Sequence, residues 1–457
     1  MSHGRDCVRA GAIWRSPPAK RGACLHARLV ARPGSCIRRL GGDRAGEMRF
    51  RRFLHNRSVT AAEMSQHAGE LTAQRVAGRH VVAVQDTSEL ILGSRQSRPG
   101  YGAVSKGNTA GLLLHPVLAV EAGTGALLGL ACMEVWNRGA EQLPPQRQRA
   151  TADKESRRWI DSTRQAGAVL AAAASITVVS DRESDFYELF AERPPNVDLV
   201  VRACQNRRIA ASQGEPGLLF DHIDAQPEQG RVTVTIPAAP GRKKRAATLA
   251  IRFAPVLLRR PRNGADPALP KTVAVTLVDV REISQPEDGS DPVHWRLLTT
   301  HGVATLTDAR WIVDLYRTRW TIEEFFRTLK SAGFDIEAAD MGDPRAMINF
   351  VAAATIAAVT IKQLVQARDG NTDQLLSDAF EPDDQPVLEA VSARLEGKTE
   401  RQRNPHPKGT LAFAAWVIAR LGGWTGYYGK PGPKVMRIGL AEFHAIKFGT
   451  TLNVLEV

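Results

Sequence analysis

The sequence predicts an α/β fold in which a mixed sheet and its helices form the core, with helical regions on both sides. Short, fully apolar runs such as 81–84 and 176–179 each end in polar residues, as buried strands do. Residues 206–300 alternate between apolar and polar positions, which is the period of a strand. Residues 308–331 carry apolar side chains at the spacing of an amphipathic helix.

The composition is that of an ordinary folded chain, since apolar residues make up 43% and charged residues 24% of the 457 positions. A mainly disordered or fibrous protein is therefore excluded. The longest apolar stretch, 350–361, is shorter than the roughly 18 residues that a bilayer span needs, so we expect a buried helix and no membrane partner. Five scattered cysteines, an odd number, favour a reducing, cytoplasmic environment.

Positive charge is concentrated in two segments of a chain whose formal net charge is +13. Residues 1–52 hold 13 basic residues against three acids, and residues 202–262 hold 12 against four. Two basic zones on a slightly acidic remainder suit the phosphate backbone of a nucleic acid. A solvated tail and a solvated hairpin would give the same pattern, and charge alone does not separate the two interpretations.

The predicted core elements follow the order of a ribonuclease-H-like sheet: three strands, a long helix, and two further strands with a short helix between them. A helical region at 43–75 precedes them, with Ser58 or Thr60 as candidate caps. A Gly- and Ser-rich loop is predicted at 93–109. The strands are predicted at 81–84, 112–120, 126–135, 176–179 and 199–201, and the helices at 153–173 and 186–191.

The rest of the chain is predicted as a β-rich insertion followed by helices. Helical patterns continue from 308–331 to about residue 368 and return over 411–421, whereas 369–409 has the composition of a loop. The predicted regions are a basic, partly helical N-terminal part at 1–75, the first part of the core at 76–205, the β-rich insertion at 206–300, a helix that closes the core at 301–340, and a mostly helical C-terminal part at 341–457, a candidate dimerisation region.

Two acids share one sequence context. Asp86 and Asp181 each close a short apolar strand. If both point into one cleft, their carboxylates can hold a divalent metal, because Mg²⁺ prefers a few hard oxygen ligands. Aspartate after a strand is also a common turn former, and for either residue alone that explanation stays open.

A helix supplies a third candidate acid. At about 100° per residue, Tyr316, Arg319, Glu323 and Lys330 fall within an arc of about 60° on one helix edge, whereas Glu324 falls outside it. This geometry favours Glu323 over Glu324 as a metal ligand. An amphipathic helix with a salt-bridged face is the alternative. The neighbouring stripe, expected to face the core, consists of Leu315, Ile322, Phe326 and Leu329.

These four residues resemble the Y-(2)-R-(3)-E-(6)-K signature of bacterial insertion-sequence DDE transposases of the IS-four family. The similarity covers about residues 41–450, and residues 1–40, where it fades, are expected to stem from a misread start. The other similar blocks are 85–90 around the first acid, 180–185 around the second, 200–202, 294–300, 422–424 and 431–434.

The resemblance implies that Asp86, Asp181 and Glu323 bind two Mg²⁺ ions, which Mn²⁺ could replace, in a ribonuclease-H-like catalytic core. Two such ions can serve both ends of an in-line phosphodiester displacement. The other implied roles concern DNA: Arg319, Lys330 and Tyr316 would hold phosphates of the transposon end, Arg202 would lie beside the distorted strand, and Trp295 would stack on a flipped base.

A basic turn lies within the predicted insertion. Its residues are Arg242, Lys243, Lys244 and Arg245. A two-stranded ribbon with a cationic tip suits contact with DNA phosphates, although a merely solvated hairpin would look the same. No histidines or cysteines have the spacing of zinc ligands, so no structural zinc is expected.

The resemblance implies a cut-and-paste transposase of the bacterial cytoplasm, associated with the nucleoid. Two copies would pair two transposon ends, cleave them through a hairpin intermediate and join them to target DNA. One alternative is a catalytically silent or dimer-poisoning DNA-binding product of a decayed element. A ribonuclease-H-like nuclease acting on another nucleic acid is a further alternative.

Overall fold

A computed structural model describes most of the chain and contains one mixed sheet of eleven strands in that part. The described residues are 17–31, 34, 36–92, 99–104, 109–138, 155–210, 217–236, 244–262, 265–286, 289–427 and 429–454. The strands are β1 (His80–Gln85), β2 (Ser88–Ile91), β3 (Gly111–Glu121), β4 (Leu127–Trp136), β5 (Ser175–Ser180), β6 (Asp198–Arg202), β7 (Ile209–Ala210), β8 (Gly230–Ile236), β9 (Arg245–Arg259), β10 (Thr272–Glu282) and β11 (His294–Thr299).

The first part of the sheet contains the five predicted core strands as neighbours. From one side it reads β4, β3, β1, β5 and β6, with β3 antiparallel to both β4 and β1. β1, β5 and β6 are parallel neighbours. Their residues are apolar and buried on both faces, as expected for central parallel strands. The short β2, which the sequence pattern did not predict, pairs with the far end of β3.

The β-rich insertion extends the same sheet. β11 pairs antiparallel with β6, and β10, β9 and β7 follow in order, with β8 paired to β9. The alternating pattern predicted for this segment is seen in β8, where exposed and more buried residues alternate. Backbone hydrogen bonds therefore connect the insertion to β6, the neighbour of the strand β5 that Asp181 follows.

Thirteen α-helices flank the sheet in the described part of the chain. They are α1 (Pro17–Ala31), α2 (Ile37–Gly41), α3 (Arg44–Leu54), α4 (Ala61–Ala73), α5 (Arg157–Val169), α6 (Tyr187–Ala191), α7 (Leu219–Asp224), α8 (Leu306–Arg317), α9 (Trp320–Arg327), α10 (Pro344–Ala367), α11 (Asp384–Leu395), α12 (Leu411–Leu421) and α13 (Pro433–Val454). Thr60, one of the two predicted caps, caps α4 through a capping box with Glu63.

α10 is the central helix of the C-terminal region. It is the one helix of the described residues that is long and apolar enough to cross a membrane by composition, but 83% of that window is buried inside the protein. It packs against α1, α12, α13 and the face of β4. The expectation of a buried helix at 350–361 is therefore confirmed.

Two segments contain helices where the sequence pattern did not predict them. Residues 369–409 were expected to be loop, yet α11 lies within them and buries Leu388 and Val391. Within residues 1–40, which showed no clear period, α1 buries Leu25 and Leu29. Both helices bury few apolar residues, so their period is weak in the sequence.

The helix predicted at 308–331 is not continuous. A capping box between Thr305 and Asp308 starts α8, which ends at Arg317. The amides of Thr318 and Arg319 then bond carbonyls only three residues back, which tightens the chain before α9 begins. A π-helical turn at Thr328–Ala332 follows α9. The predicted core stripe is nevertheless buried, namely Leu315, Ile322, Phe326 and Leu329.

Candidate active site

Asp86 and Asp181 lie at the same edge of the sheet. Asp86 follows β1 and Asp181 follows β5, and these strands are parallel neighbours with Val84 opposite Val179. Since both strands end at this edge, their following residues leave the sheet side by side. The sheet thus brings together two of the three predicted acids.

The third predicted acid, Glu323, reaches the same place from α9. Arg319, at the start of that helix, contacts all three acids. Its Nη1 lies 3.3 Å from Oδ2 of Asp86 and 3.9 Å from Oδ2 of Asp181. Its Nη2 donates a hydrogen bond to Oε1 of Glu323. Three carboxylates from three elements therefore converge on one guanidinium.

The convergence changes the acidity of Asp86. Burial raises the pKa of this carboxyl to about 6, and the negative charge of Asp181 adds to the effect. The backbone amide of Thr87, which donates to Oδ1 of Asp86 at 2.8 Å, and the positive charge of Arg319 act in the opposite direction. A half-buried group of acids such as this one is stabilised by any cation placed among them.

The donor chemistry suits a hard divalent cation, because Asp86, Asp181 and Glu323 offer only carboxylate oxygens. In the described part of the chain, no three His, Cys, Asp or Glu side chains are grouped closely enough to form a metal site on their own. The guanidinium of Arg319 is the cation that the three acids share. The residues fit Mg²⁺ by type, and a bound ion would compete with Arg319 for the same oxygens.

Tyr316 and Trp295 form an aromatic pair beside Asp181. The Tyr316 hydroxyl donates to Oδ1 of Asp181 at 3.4 Å, and the two rings meet edge to face with centroids 5.5 Å apart. Burial and the charge of Asp181 raise the pKa of the Tyr316 phenol to about 12, so it remains a proton donor at neutral pH. Arg202 also faces this corner, with Nη1 3.8 Å from Oδ1 of Asp181.

Lys330 lies apart from the other members of the predicted helix edge. The π-helical turn carries it toward β2, where its Nζ donates to the carbonyl of Glu89 and lies 3.5 Å from Oε1 of Glu337. Glu324 points away from the acids and forms an ion pair with Lys362, which is 3% exposed. The structure thus brings Tyr316, Arg319 and Glu323 together and places Lys330 beside β2, where its partners are Glu89 and Glu337.

The predicted basic turn is only partly described. Arg242 and Lys243 lie outside the described residues. Lys244 is exposed, whereas Arg245 pairs with the buried carboxylate of Glu282. Lys244 and Arg245 lie at the same end of the sheet as Asp181, because β9 begins there and runs away from it.

A chain of hydrogen-bonded side chains, which the sequence did not predict, lies next to Asp86 and begins at Thr87. The side chain of Arg158 donates to Thr87 at 3.0 Å, and Thr87 meets Nδ1 of His115 at 2.8 Å. Nε2 of His115 meets Gln85 at 3.3 Å, and Gln85 donates onward to Thr163 at 3.2 Å. A polar Gln85 inside an apolar strand was the one signal in the sequence.

A family model matches the part of the chain that contains two of the three acids. Residues 140–360 match the family model described as the transposase DDE domain. This match supports a DDE transposase. The matched DDE domain contains Asp181, Arg319 and Glu323, while Asp86 lies N-terminal to it.

One solved structure with similarity to the chain is the piggyBac transposase synaptic complex with hairpin DNA. The sequence identity is 9%, the TM-score is 0.35, and the match covers 81% of this chain and 70% of that chain.

Proposed function

We propose that this chain is a cut-and-paste DNA transposase of the IS-four type, which cleaves transposon ends through a hairpin and joins them to target DNA. The observation that carries the proposal is the convergence of Asp86, Asp181 and Glu323 on one cation, in a chain whose residues 140–360 match a transposase DDE domain. The family generally uses divalent metal ions. Two Mg²⁺ ions are proposed, held by Asp86, Asp181 and Glu323.

When bound, the metal would supply an activated oxygen nucleophile and charge neutralisation on the leaving oxygen. The chain's own residues would position the DNA. Arg319 already carries a guanidinium next to the acids, so it is well placed to hold a phosphate that enters there. Tyr316 keeps its proton and can donate to a phosphate oxygen instead of Asp181.

Trp295 is proposed to receive a flipped base. Its indole is half-buried and already packs against Tyr316 beside Asp181. An aromatic face at this position would offset part of the unstacking that a tight DNA hairpin requires. Arg202, on the next strand, would contact the phosphate of the same distorted strand.

The partners proposed for this reaction are transposon-end DNA and target DNA, with two copies of the chain pairing two ends. The net charge of +13 supports a polyanionic partner. Pairing of two copies rests on the resemblance to the IS-four family.

Replacement of each acid by its amide tests the reaction. Asp181→Asn and Glu323→Gln should lower Mg²⁺-dependent cleavage of duplex DNA taken from the sequences on either side of the gene by more than about a hundredfold, since even outer partners of a metal site are worth about 10- to 100-fold. Denaturing gels of end-labelled DNA measure the products. The matched control is Asp314→Asn, an exposed acid of α8 that pairs only with Arg317 in the described structure.

The same gels separate the first nick from the hairpin. Trp295→Ala should reduce hairpin formation more than nicking, because base stacking matters only after the strand is cut. Equal loss of both products would argue against stacking.

Unchanged cleavage in Asp181→Asn or Glu323→Gln would show that the assignment of the catalytic acids is wrong. A wild-type chain that binds the ends but leaves even pre-cut ends unjoined would be the silent binding product.

A further inference from the structure

A cleft lined by basic residues lies at the hairpin that joins β9 to β10. Its cationic lining residues are Arg259, Arg260, Arg262 and Lys271, and its volume is about 500 Å³. No acidic side chain lines the cleft among the described residues. We name this feature the basic cleft.

The basic cleft lies at the opposite edge of the sheet from the candidate active site. Four residues lie side by side on the neighbouring strands β10, β11, β6 and β5, namely Thr276, Thr299, Val200 and Val179. Thr272, opposite Arg259, begins β10, whereas Asp181 follows the end of the parallel strand β5. The two features are therefore separated by roughly 20 Å along the strand direction alone. One phosphate group could not contact both.

Other arginines of the insertion are neutralised by acids. The pairs are Arg207 with Asp185, Arg231 with Glu228, Arg245 with Glu282, Arg252 with Asp279, and both Arg281 and Arg296 with Asp224. Within the described part of the chain, no salt bridge involves Arg259, Arg260, Arg262 or Lys271. Among the described residues of the insertion, the unneutralised charge thus lies at the cleft, at Arg208 and at Lys244.

The cleft is also partly preorganised. The guanidinium of Arg260 donates through Nη1 to the carbonyls of Pro267 and Leu269, which ties it across the hairpin. Arg262 and Lys271 are exposed on either side, and no hydrogen bond of their side chains is described. A fixed guanidinium flanked by free cations is suited to successive phosphates, because guanidinium groups bind phosphate oxygens in a bidentate fashion.

We propose that the basic cleft binds the phosphate backbone of duplex DNA at a second position, remote from the DNA that is cut. The identification of the ligand as DNA rests on the proposed function. The position at the far sheet edge assigns the cleft to a duplex segment beyond the cleavage point or to a second duplex. Such contacts add affinity without reading sequence.

The test is binding of a random-sequence duplex to full-length protein without Mg²⁺, at several salt concentrations. Arg262→Gln combined with Lys271→Gln should weaken binding about tenfold and reduce the slope of log affinity against log salt by about 1.8, since each lost phosphate contact contributes about 0.9. The matched control is Arg394→Gln with Lys398→Gln, two exposed cations of the α11 region that remove the same charge. It should change affinity less than twofold.

Four outcomes decide the matter. Equal weakening by both double variants would overturn the proposal, because only net charge would then matter. Unchanged duplex binding with lost binding of inorganic pyrophosphate in calorimetry would also overturn it and indicate a small-anion site. If the cleft variant loses duplex binding while Asp181→Asn leaves end cleavage unchanged, the cleft stands and the proposed function fails. If the cleft variant keeps duplex binding while Asp181→Asn abolishes end cleavage, the proposed function stands and the proposed role of the cleft is wrong.

Discussion

His115 connects the strand ends around Asp86. Its side chain is fully buried, and burial together with the charge of Arg158 holds the pKa of its imidazole well below the ordinary value. A neutral ring with its proton on Nε2 satisfies every contact, because Nε2 then donates to Gln85 and Nδ1 accepts from Thr87. Thr87 in turn donates its amide to Asp86, so the chain of bonds helps to fix that carboxylate.

The lowered pKa of His115 predicts a loss of stability in acid. Below about pH 6.5 the unfolded chain binds a proton at this histidine that the folded chain refuses, so the free energy of unfolding falls by up to about 1.4 kcal/mol per pH unit. Above that pH the histidine is neutral in both states, so its titration no longer changes the free energy of unfolding. His115→Gln keeps hydrogen-bonding groups but cannot titrate, and should show a shallower fall between about pH 6.5 and 5 in urea denaturation. Identical pH profiles would show that the pKa of His115 is the same in the folded and the unfolded chain.

At the scale of residues, the three candidate acids were predictable but their shared partner was not. Asp86 and Asp181 follow apolar strands, and the helical spacing separated Glu323 from Glu324. Arg319 was predicted to face phosphate, yet its contact with Asp86 spans 233 positions and depends on how α9 approaches the sheet. Local periodicity carries no information on such a separation.

α9 is held in place by the ion pair between Glu324 and Lys362 of α10. The apolar side of α9 is buried at Ile322 and Phe325, and the pair fixes the rotation of the helix about its axis. Burial lowers the pKa of Lys362, while the charge of Glu324 opposes that effect. The orientation of Glu323 toward Arg319 therefore depends on the residue next to it, which faces the other way.

Glu324→Gln should destabilise the protein by at least about 2 kcal/mol, because it leaves a buried ammonium without its carboxylate. Lys362→Met keeps the packing of the side chain and removes the buried charge, so it should cost less. The double variant should be more stable than Glu324→Gln alone. Urea denaturation of the three variants measures the coupling, and strictly additive effects would show that the pair does not hold α9.

At the scale of elements, strands were easier to predict than the helices near the ends of the chain. β1, β5 and β6 are continuous apolar runs, which only a buried strand or helix allows, and their length decides between the two. α11 begins with Asp384 and contains Pro386, which together resemble a loop in sequence. The break between α8 and α9 has no Pro or Gly to indicate it.

At the scale of the whole molecule, the first and last described helices pack against each other. α1 packs against both α10 and α13, so the N-terminal basic segment is part of the same apolar core as the C-terminal region. The expectation that residues 1–40 stem from a misread start was based on fading resemblance. That expectation stays untested, and within the described residues Leu25 and Leu29 give α1 a place in the core.

Leu29→Ala should lower the free energy of unfolding by about 2–5 kcal/mol, the usual range for a fully buried leucine. Arg28→Ala, one position earlier and exposed, is the matched control and should have little effect. Chemical denaturation followed by circular dichroism makes the comparison. Equal stability of the two variants would mean that α1 does not pack as described.

At this scale the sequence predicted the strand order of the core but not how the insertion joins it. Alternation indicated strands in 206–300, and nothing local indicated that β11 would pair with β6 or that one sheet would result. Strand register is decided by the whole set of facing side chains and by backbone pairing, which a single strand does not reveal.

The packing of α1 on α13 has a consequence for the time at which the protein matures. During synthesis, α1 leaves the ribosome early, but its partner begins only at Pro433. At about 5–20 residues per second, roughly 400 further residues take about 20 to 80 s to add. Throughout that interval α1 lacks its contacts with α13. The nascent chain therefore passes through a long period in which chaperones can bind its N-terminal segment.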